Sequence, residues 1–242
     1  MLKPFNELPE CLQNDECKKY YDILKKRKVS LFVKRAFDIV VALLILVILS
    51  PLFLIISVMI KLDSKGPVIF KQNRVTQYNR DFKIYKFRTM VNNADKIGSQ
   101  VTTKGDARIT RVGKLIRKCR LDEIPQLINV LKGDMTFVGT RPEVRKYVDA
   151  YSNEMMATLL LKAGITSEAS IFYKDEDVLL SNAVDVDAVY IKDVLPGKMI
   201  YNLNYIENFG FWYDILLMFK TFFAVIGIKQ NPINKSERGI GA

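Results

Sequence analysis

From Ile39 to Ile60 the chain reads IVVALLILVILSPLFLIISVMI, 22 residues without a charged side chain. At 1.5 Å per residue such a helix runs for ~33 Å, enough to cross the hydrocarbon core of a bilayer, and it is longer than an ordinary core helix needs to be. It begins well inside the chain and no small-residue cleavage site follows it, which argues against a signal peptide. Ser50-Pro51 falls almost at its centre. Proline removes a backbone donor and its ring clashes with the preceding turn. Two readings stay open: a spanning helix with a tolerated proline, or a re-entrant helix that turns back to the face it entered. Lys25, Lys26, Arg27, Lys28, Lys34 and Arg35 precede the segment, and Lys61, Lys65, Lys71 and Arg74 follow it, so the positive-inside rule gives no direction. Both ends on the cytoplasmic side would explain that symmetry. Asp38 is expected to be structural, as a partner of Lys34 or Arg35 or as a helix N-terminal acid.

The charge balance points to what the rest of the chain meets. With 37 Lys and Arg against 26 Asp and Glu, the net charge is +11 and the pI about 9.4. Such a surface suits an anionic partner, whether nucleic acid, an anionic membrane or a phosphorylated substrate. No histidine is present in the 242 residues. Ser-His-Asp and Cys-His catalysis and His-ligated metals are thereby excluded, which leaves carboxylate, Lys, Arg, Tyr or backbone groups to carry a reaction. Cys11, Cys17 and Cys119 form an odd set without metal-ligand spacing, which argues against a disulfide framework or structural zinc and fits a reducing compartment.

Composition divides the chain into a polar N-terminal segment (1–30), the membrane segment (31–62), a cytosolic domain (63–228) and a tail (229–242) rich in Gly, Asn and Lys. A helix is expected over about 15–28. Val68 to Phe70 and Phe82 to Tyr85, around the turn-like Tyr78 to Asp81, predict a β-hairpin from which Lys86 and Arg88 project on one face. A solvated edge strand would carry such charges equally well. The segment from Asn92 to Asp106 reads as a mobile loop and Val112 to Arg120 as a basic helix. Phe209 to Gly227 is aromatic and apolar but interrupted by Asp214 and Lys220, as in a helix lying in the membrane interface or one packed in a core.

The adjacent acids Asp122 and Glu123 follow Arg117, Lys118 and Arg120. Pro125 and Gly133 bracket a short helix over Gln126 to Lys132 and place both acids at its N-terminus. The helix dipole and the nearby arginines would there favour ionised carboxylates. Capping of the helix is one reading. The other is phosphoryl chemistry, in which a carboxylate binds magnesium or attacks phosphorus while Arg and Lys neutralise the transferring group. Neighbouring acids do not suit glycoside hydrolysis, whose two carboxyl groups flank the scissile bond. Gly139 and Arg141-Pro142 can supply a tight turn and a bidentate phosphate contact, or an ordinary surface turn. No GxxxxGK[ST] stretch is present, so any nucleotide site is not a P-loop.

Lys34 to Asp38 (KRAFD), the apolar segment with its central Ser-Pro, Lys86 to Met90 (KFRTM), Leu121 to Met135 (LDEIPQLINVLKGDM) and Gly139 to Glu143 (GTRPE) occur in one order and spacing. Together they resemble the monotopic phosphoglycosyl transferases, also called bacterial sugar transferases, from about Val33 to Ile228. The resemblance implies an α+β, mainly helical fold with a re-entrant membrane helix kinked at Ser50-Pro51, a small β-hairpin and interfacial amphipathic helices. It implies transfer of a sugar 1-phosphate from a UDP-sugar to undecaprenyl or another polyprenyl phosphate, with release of UMP, on the cytoplasmic face of the bacterial inner membrane. Asp122 would attack the phosphate next to the sugar and form a covalent intermediate with Mg2+ assistance. Glu123 would act as a base or organise the metal, and Lys86, Arg88, Arg117 and Arg141 would bind phosphates, with Gln126 also in the substrate site. Thr140 stands where the family commonly has proline, and Thr76 and Asn79 replace glycines common in the hairpin turn. The sugar is not implied, and a homo-oligomer is left open. Two other classes compete: a membrane-anchored scaffold of the same fold, which the intact acid pair disfavours, and a nucleic-acid binder, which has only charge in its favour.

Overall fold

A computed structural model describes residues 2–94, 106–173 and 185–225. The tail expected over 229–242 and most of the loop expected from Asn92 to Asp106 lie outside these residues.

The N-terminal segment packs into the main core. Helix α1 (Asp15–Lys25) starts where the Asn14 side chain accepts the Cys17 N–H at 2.8 Å. Its buried residues Cys17, Tyr20, Tyr21 and Leu24 recur at i, i+3, i+4 and i+7 and make one face. With Leu8 and Leu12 they share a core with Val130, Met135, Leu160, Ile206 and Phe209.

Helix α2 (Lys28–Ile48) and helix α3 (Ser50–Asp63) are the two arms of the apolar segment, bent by 62° at Leu49. The break has a local cause. Pro51 cannot donate to Val47 O, and the Ser50 hydroxyl donates to that carbonyl instead at 2.8 Å. Among the described residues no single helix is long and apolar enough to cross a membrane, though the bent pair is so when taken together.

Helix α2 is inside out. The residues it buries are Lys34, Asp38 and Ala42, at i, i+4 and i+8, whereas Val40, Leu43, Leu44, Val47 and Ile48 are exposed. Lys34 pairs with Asp214 at 2.6 Å, Arg35 donates to Val130 O and Leu131 O, and Asp38 accepts from Thr136 Oγ1 at 2.5 Å and from Phe137 N. The Asp38 carboxylate therefore serves a distant strand rather than its own helix neighbours.

Strands β1 (Ile69–Thr76) and β2 (Arg80–Phe87) form the expected antiparallel hairpin, from Ile69 opposite Phe87 to Thr76 opposite Arg80. Tyr78 (φ 61°) and Asn79 (φ 56°) make its turn without glycine. Arg145 holds that turn through Asn79 Oδ1 and O, and Tyr78 Oη accepts from Lys3 N. Arm α3 packs on the hairpin's open end, where Ile56, Ile60, Phe87 and Ile116 are buried together.

Helix α4 (Arg111–Lys118) follows, and Asp63 of α3 accepts from Val112 N in its first turn. After one 3-10 turn (Leu121–Glu123) comes α5 (Gln126–Lys132), ended by Gly133 at φ 86°. Strand β3 (Met135–Val138) pairs in parallel with β4 (Ala163–Thr166), a sheet that no alternation in the sequence announces. Two four-residue helices, α6 (Arg145–Val148) and α7 (Asn153–Met156), lie between those strands, and α8 (Glu168–Phe172) follows them. Helix α9 (Val186–Val189) leads through a π turn (Tyr190–Val194) into α10 (Leu195–Glu207). The last described helix, α11 (Phe211–Val225), buries Asp214 and Leu217 and exposes Trp212, Leu216, Phe219 and Phe223 along one stripe. Its apolar face looks outward, like that of α2.

Candidate active site

Asp122 and Glu123 lie in the 3-10 turn before α5, and neither caps that helix: Pro125 occupies the N-cap position, with no side-chain hydrogen bond. Arg120 adopts a left-handed conformation (φ 56°), which turns the chain sharply between α4 and the acids. Three other elements reach the turn. Asn129 of α5 donates to Lys83 O and accepts from Tyr85 N, at 2.8 and 3.0 Å, and so fastens α5 along β2. That contact sets Lys86, at the end of β2, 3.3 Å from Glu123 Oε1.

Arg141 comes from the segment after β3. Its Nη1 donates to Glu123 Oε2 at 3.2 Å and to Ile165 O at 3.0 Å, and its Nη2 donates to Glu123 Oε1. Gly139 and Gly164 let this segment cross β4: a Cβ on Gly164 would lie 2.3 Å from the Gly139 backbone. The crossing is closed by Gly139 N donating to Thr166 O and Gly164 N donating to Thr140 O, so the turn is fixed without a proline at Thr140. Arg117 of α4 donates to Thr89 Oγ1 at 2.8 Å and adds a third cation facing Asp122.

The two acids differ in state. Burial alone would raise Glu123, but Arg141 and Lys86 outweigh it and hold the carboxyl far below the usual carboxylate range. Asp122 moves the other way: burial raises it, the Glu123 charge raises it further, and Lys86, Arg117 and Arg141 offset this only in part. The expectation that dipole and arginines would lower both acids is corrected for Asp122. It is buried, and the guanidinium nearest in sequence, Arg120, acts on Glu123. Asp122 Oδ1 is buried without a hydrogen-bond partner. Burial lowers Lys86, with Glu123 pulling it back up.

The structure thus brings Lys86, Arg117, Asp122, Glu123 and Arg141 together. It does not bring Arg88 to them. That guanidinium is buried at the end of α3, where Nη2 donates to Ser64 O and Ser64 Oγ at 2.6 and 2.9 Å, and Asp63 is the charge it faces. The alternation that puts residues 86 and 88 on one face ends with the strand at Phe87. Gln126 lies one turn beyond Asp122, fully buried, with neither amide atom bonded. Arg74, which sequence reading placed only among the basic flanks, lies beside the cluster: it faces Lys86 and Arg141 and donates to Pro142 O. Alternation along β1 does not mark it as part of a site.

Comparison with known proteins identifies the family. The profile described as bacterial sugar transferase matches residues 29–228. The chain is 43% identical over 198 residues to the UDP-N-acetylgalactosamine-undecaprenyl-phosphate N-acetylgalactosaminephosphotransferase of Aeromonas hydrophila, covering 81% of this chain and 44% of that protein. It is 37% identical over 201 residues to the UDP-glucose:undecaprenyl-phosphate glucose-1-phosphate transferase of Escherichia coli (strain K12), covering 81% of this chain and 40% of that protein. The chain therefore spans less than half the length of these two relatives. It is also 33% identical over 215 residues to the uncharacterized sugar transferase EpsL of Bacillus subtilis (strain 168), covering 88% of this chain and 98% of that protein. With its acid pair set among three cations and a match running through nearly every described element, the chain belongs to the bacterial sugar transferase family.

Proposed function

We propose that the protein transfers a sugar 1-phosphate from a UDP-sugar to undecaprenyl phosphate and releases UMP, as the first membrane step of a glycan's assembly. The observation that carries this reading is the asymmetry of the acid pair. Glu123 is clamped by Arg141 and Lys86, while Asp122 keeps an unpartnered oxygen and a raised proton affinity. A carboxylate with a free lone pair and raised basicity is the better nucleophile of the two.

In the first half-reaction Asp122 attacks the phosphorus next to the sugar. The new Asp122–phosphorus bond, an acyl phosphate, forms as the bond to the UMP oxygen breaks, and UMP carries away the electron pair. In the second, a phosphate oxygen of undecaprenyl phosphate attacks the same phosphorus, the acyl-phosphate bond breaks, and the Asp122 carboxylate is regenerated. Lys86, Arg117 and Arg141 neutralise the phosphate oxygens in both steps. Through its ion pairs Glu123 holds Arg141 and Lys86 in place. Arg88 is left out of this set because its guanidinium braces the end of α3.

The residues fit a magnesium ion: Asp122 Oδ1 is unpartnered, and Mg2+ commonly takes only one or two carboxylates and completes its shell with phosphate oxygens and water. Asp122, with Glu123 beside it, would hold the ion, which would supply further neutralisation of phosphate charge. The bent pair α2 and α3 would enter the membrane from the cytoplasmic face and return to it, with α11 lying in the interface. The inside-out face of α2 and the basic residues on both flanks support that placement.

The test is UMP release by the purified chain, given undecaprenyl phosphate, magnesium and a panel of UDP-sugars that begins with UDP-N-acetylgalactosamine and UDP-glucose. Release of UMP, together with a sugar-phosphate adduct trapped on wild type and absent from Asp122→Asn, is the expected result. UDP as the product would refute the reaction class.

A further inference from the structure

A second polar site lies at the root of the membrane helix. A cavity of about 90 Å³ opens between α2, β3 and the residue before β4, lined by Lys34, Arg35, Asp38 and Lys162 with the apolar Leu2 and Leu31 at its side. One water needs ~10–15 Å³ by this measure, so the space admits several waters or one phosphate-sized group. No residue of the acid-pair cluster lines it.

Three of its four charged groups are already satisfied. Lys34 is paired with Asp214, Arg35 donates to the last carbonyls of α5, and Asp38 accepts from Thr136 Oγ1 and Phe137 N. Lys162 is different: among the described residues its ammonium has no hydrogen-bond or ion-pair partner. A Cβ built on Gly133 would meet Arg35 Nη2 at 3.4 Å and Lys162 Nζ at 3.5 Å, so both cationic ends crowd one point. Burial lowers the Lys162 ammonium and Arg35 lowers it further, while Asp38 and Asp134 pull it back up and Arg80 opposes them. A partly desolvated cation beside another cation is stabilised by an anion.

The surroundings specify the rest of the ligand. Leu31 belongs to the first turn of α2, next to the exposed Val29, Phe32 and Val33 where the apolar face begins. We propose that this cavity docks the phosphate headgroup of an anionic membrane lipid on Lys162 and Arg35, with the acyl part leaving past Leu31 along the outer face of α2. The site would tie the root of the membrane arm to a lipid outside the catalytic cycle. It rests on the reading of α2 and α3 as membrane-embedded.

The experiment reconstitutes the full chain in nanodiscs of mixed phosphatidylglycerol and phosphatidylcholine, transfers it to neutral detergent, and identifies retained lipid by native mass spectrometry. One basic contact near a membrane surface contributes about 1 kcal/mol, so wild type is expected to retain phosphatidylglycerol about fivefold over phosphatidylcholine. Lys162→Gln should fall to parity and Lys162→Arg should keep the preference. An equal preference in wild type and Lys162→Gln overturns the site. Displacement of phosphatidylglycerol by millimolar inorganic phosphate would show a free-phosphate site and overturn the lipid assignment. If Lys162→Gln does not fold, loss of the preference in Leu31→Asp, with Lys162→Arg unaffected, decides for the site, and retention decides against it. Failure of wild type to incorporate into nanodiscs at all would instead sink the membrane reading on which the site rests.

Discussion

Replacing the proposed nucleophile should make the protein more stable while it abolishes turnover. Asp122 is 8% exposed, and its Oδ1 has no partner. An unsatisfied buried polar atom costs about 1–3 kcal/mol, and more when charged. Lys86, Arg117 and Arg141 offset part of this, which leaves a net penalty of about 1 kcal/mol for the ionised form. The sign follows from the raised pKa. A carboxyl that binds its proton more tightly in the folded state is most stabilising below the unfolded pKa, and loses that contribution as pH rises through the folded value. At neutral pH the ionised Asp122 therefore destabilises the fold, and Asp122→Asn removes the charge without changing the shape. Thermal denaturation in one detergent at pH 7.5 should give a Tm about 2–4 °C higher for Asp122→Asn than for wild type. The difference should close as pH falls toward 4, where wild type takes up the proton. UMP release should drop at least about a thousandfold. A lower Tm for the variant, or a gap that does not change with pH, would refute the argument that Asp122 is held at an energetic cost.

Glu123→Gln should do the reverse: it breaks a buried pair with Arg141 and Lys86 and costs about 3–5 kcal/mol. Because the Glu123 pKa is depressed, that loss is full above about pH 5 and shrinks as pH falls below the ordinary Glu value, which acid unfolding of both proteins would measure. Arg88→Ala loses the bonds to Ser64 but also removes two buried unpartnered nitrogens, and it should leave KM for the UDP-sugar unchanged below the melting range. Arg141→Ala should raise that KM or lower kcat, and equal kinetic effects of the two variants would place Arg88 back in the substrate site. Cysteines introduced at positions 26 and 65 should both react with an impermeant thiol reagent added from the cytoplasmic face. Labelling from opposite faces would show that the bent pair spans the membrane.

The parts of this fold that were legible in the sequence are those whose causes are local. Pro125 and Gly133 delimit α5 because one sets its φ in the first turn and the other supplies the left-handed residue past its end. Ser50-Pro51 marks the bend because the donor missing at residue 51 frees a carbonyl that only a neighbour can satisfy. The expected hairpin likewise follows from short-range pattern, whereas the residues gathered around the acid pair are named through the family resemblance. What stayed hidden depends on partners far along the chain. Lys34 finds Asp214, 180 residues away, and Arg88 finds Ser64 and Asp63 at the end of α3 instead of the acid pair, and neither spacing carries a signal for it.

The same long-range contacts show why the apolar helix α2 bears polar residues on its buried face. Arg35 holds the last carbonyls of α5, the helix that follows the acid pair. Asp38 holds β3, which leads to Arg141, and Lys34 reaches β3 a second way, through Asp214 and then Tyr205, whose hydroxyl donates to Val138 O. Three polar residues spaced along one arm thus fix both sides of the cluster, the acids through α5 and their main cation through β3. The Lys34 and Asp38 bonds are buried and therefore intolerant of misplacement, while those of Arg35 are part-buried. A tilt of α2 would have to move α5 and β3 with it, so the orientation of this arm is coupled to the distance between Glu123 and Arg141.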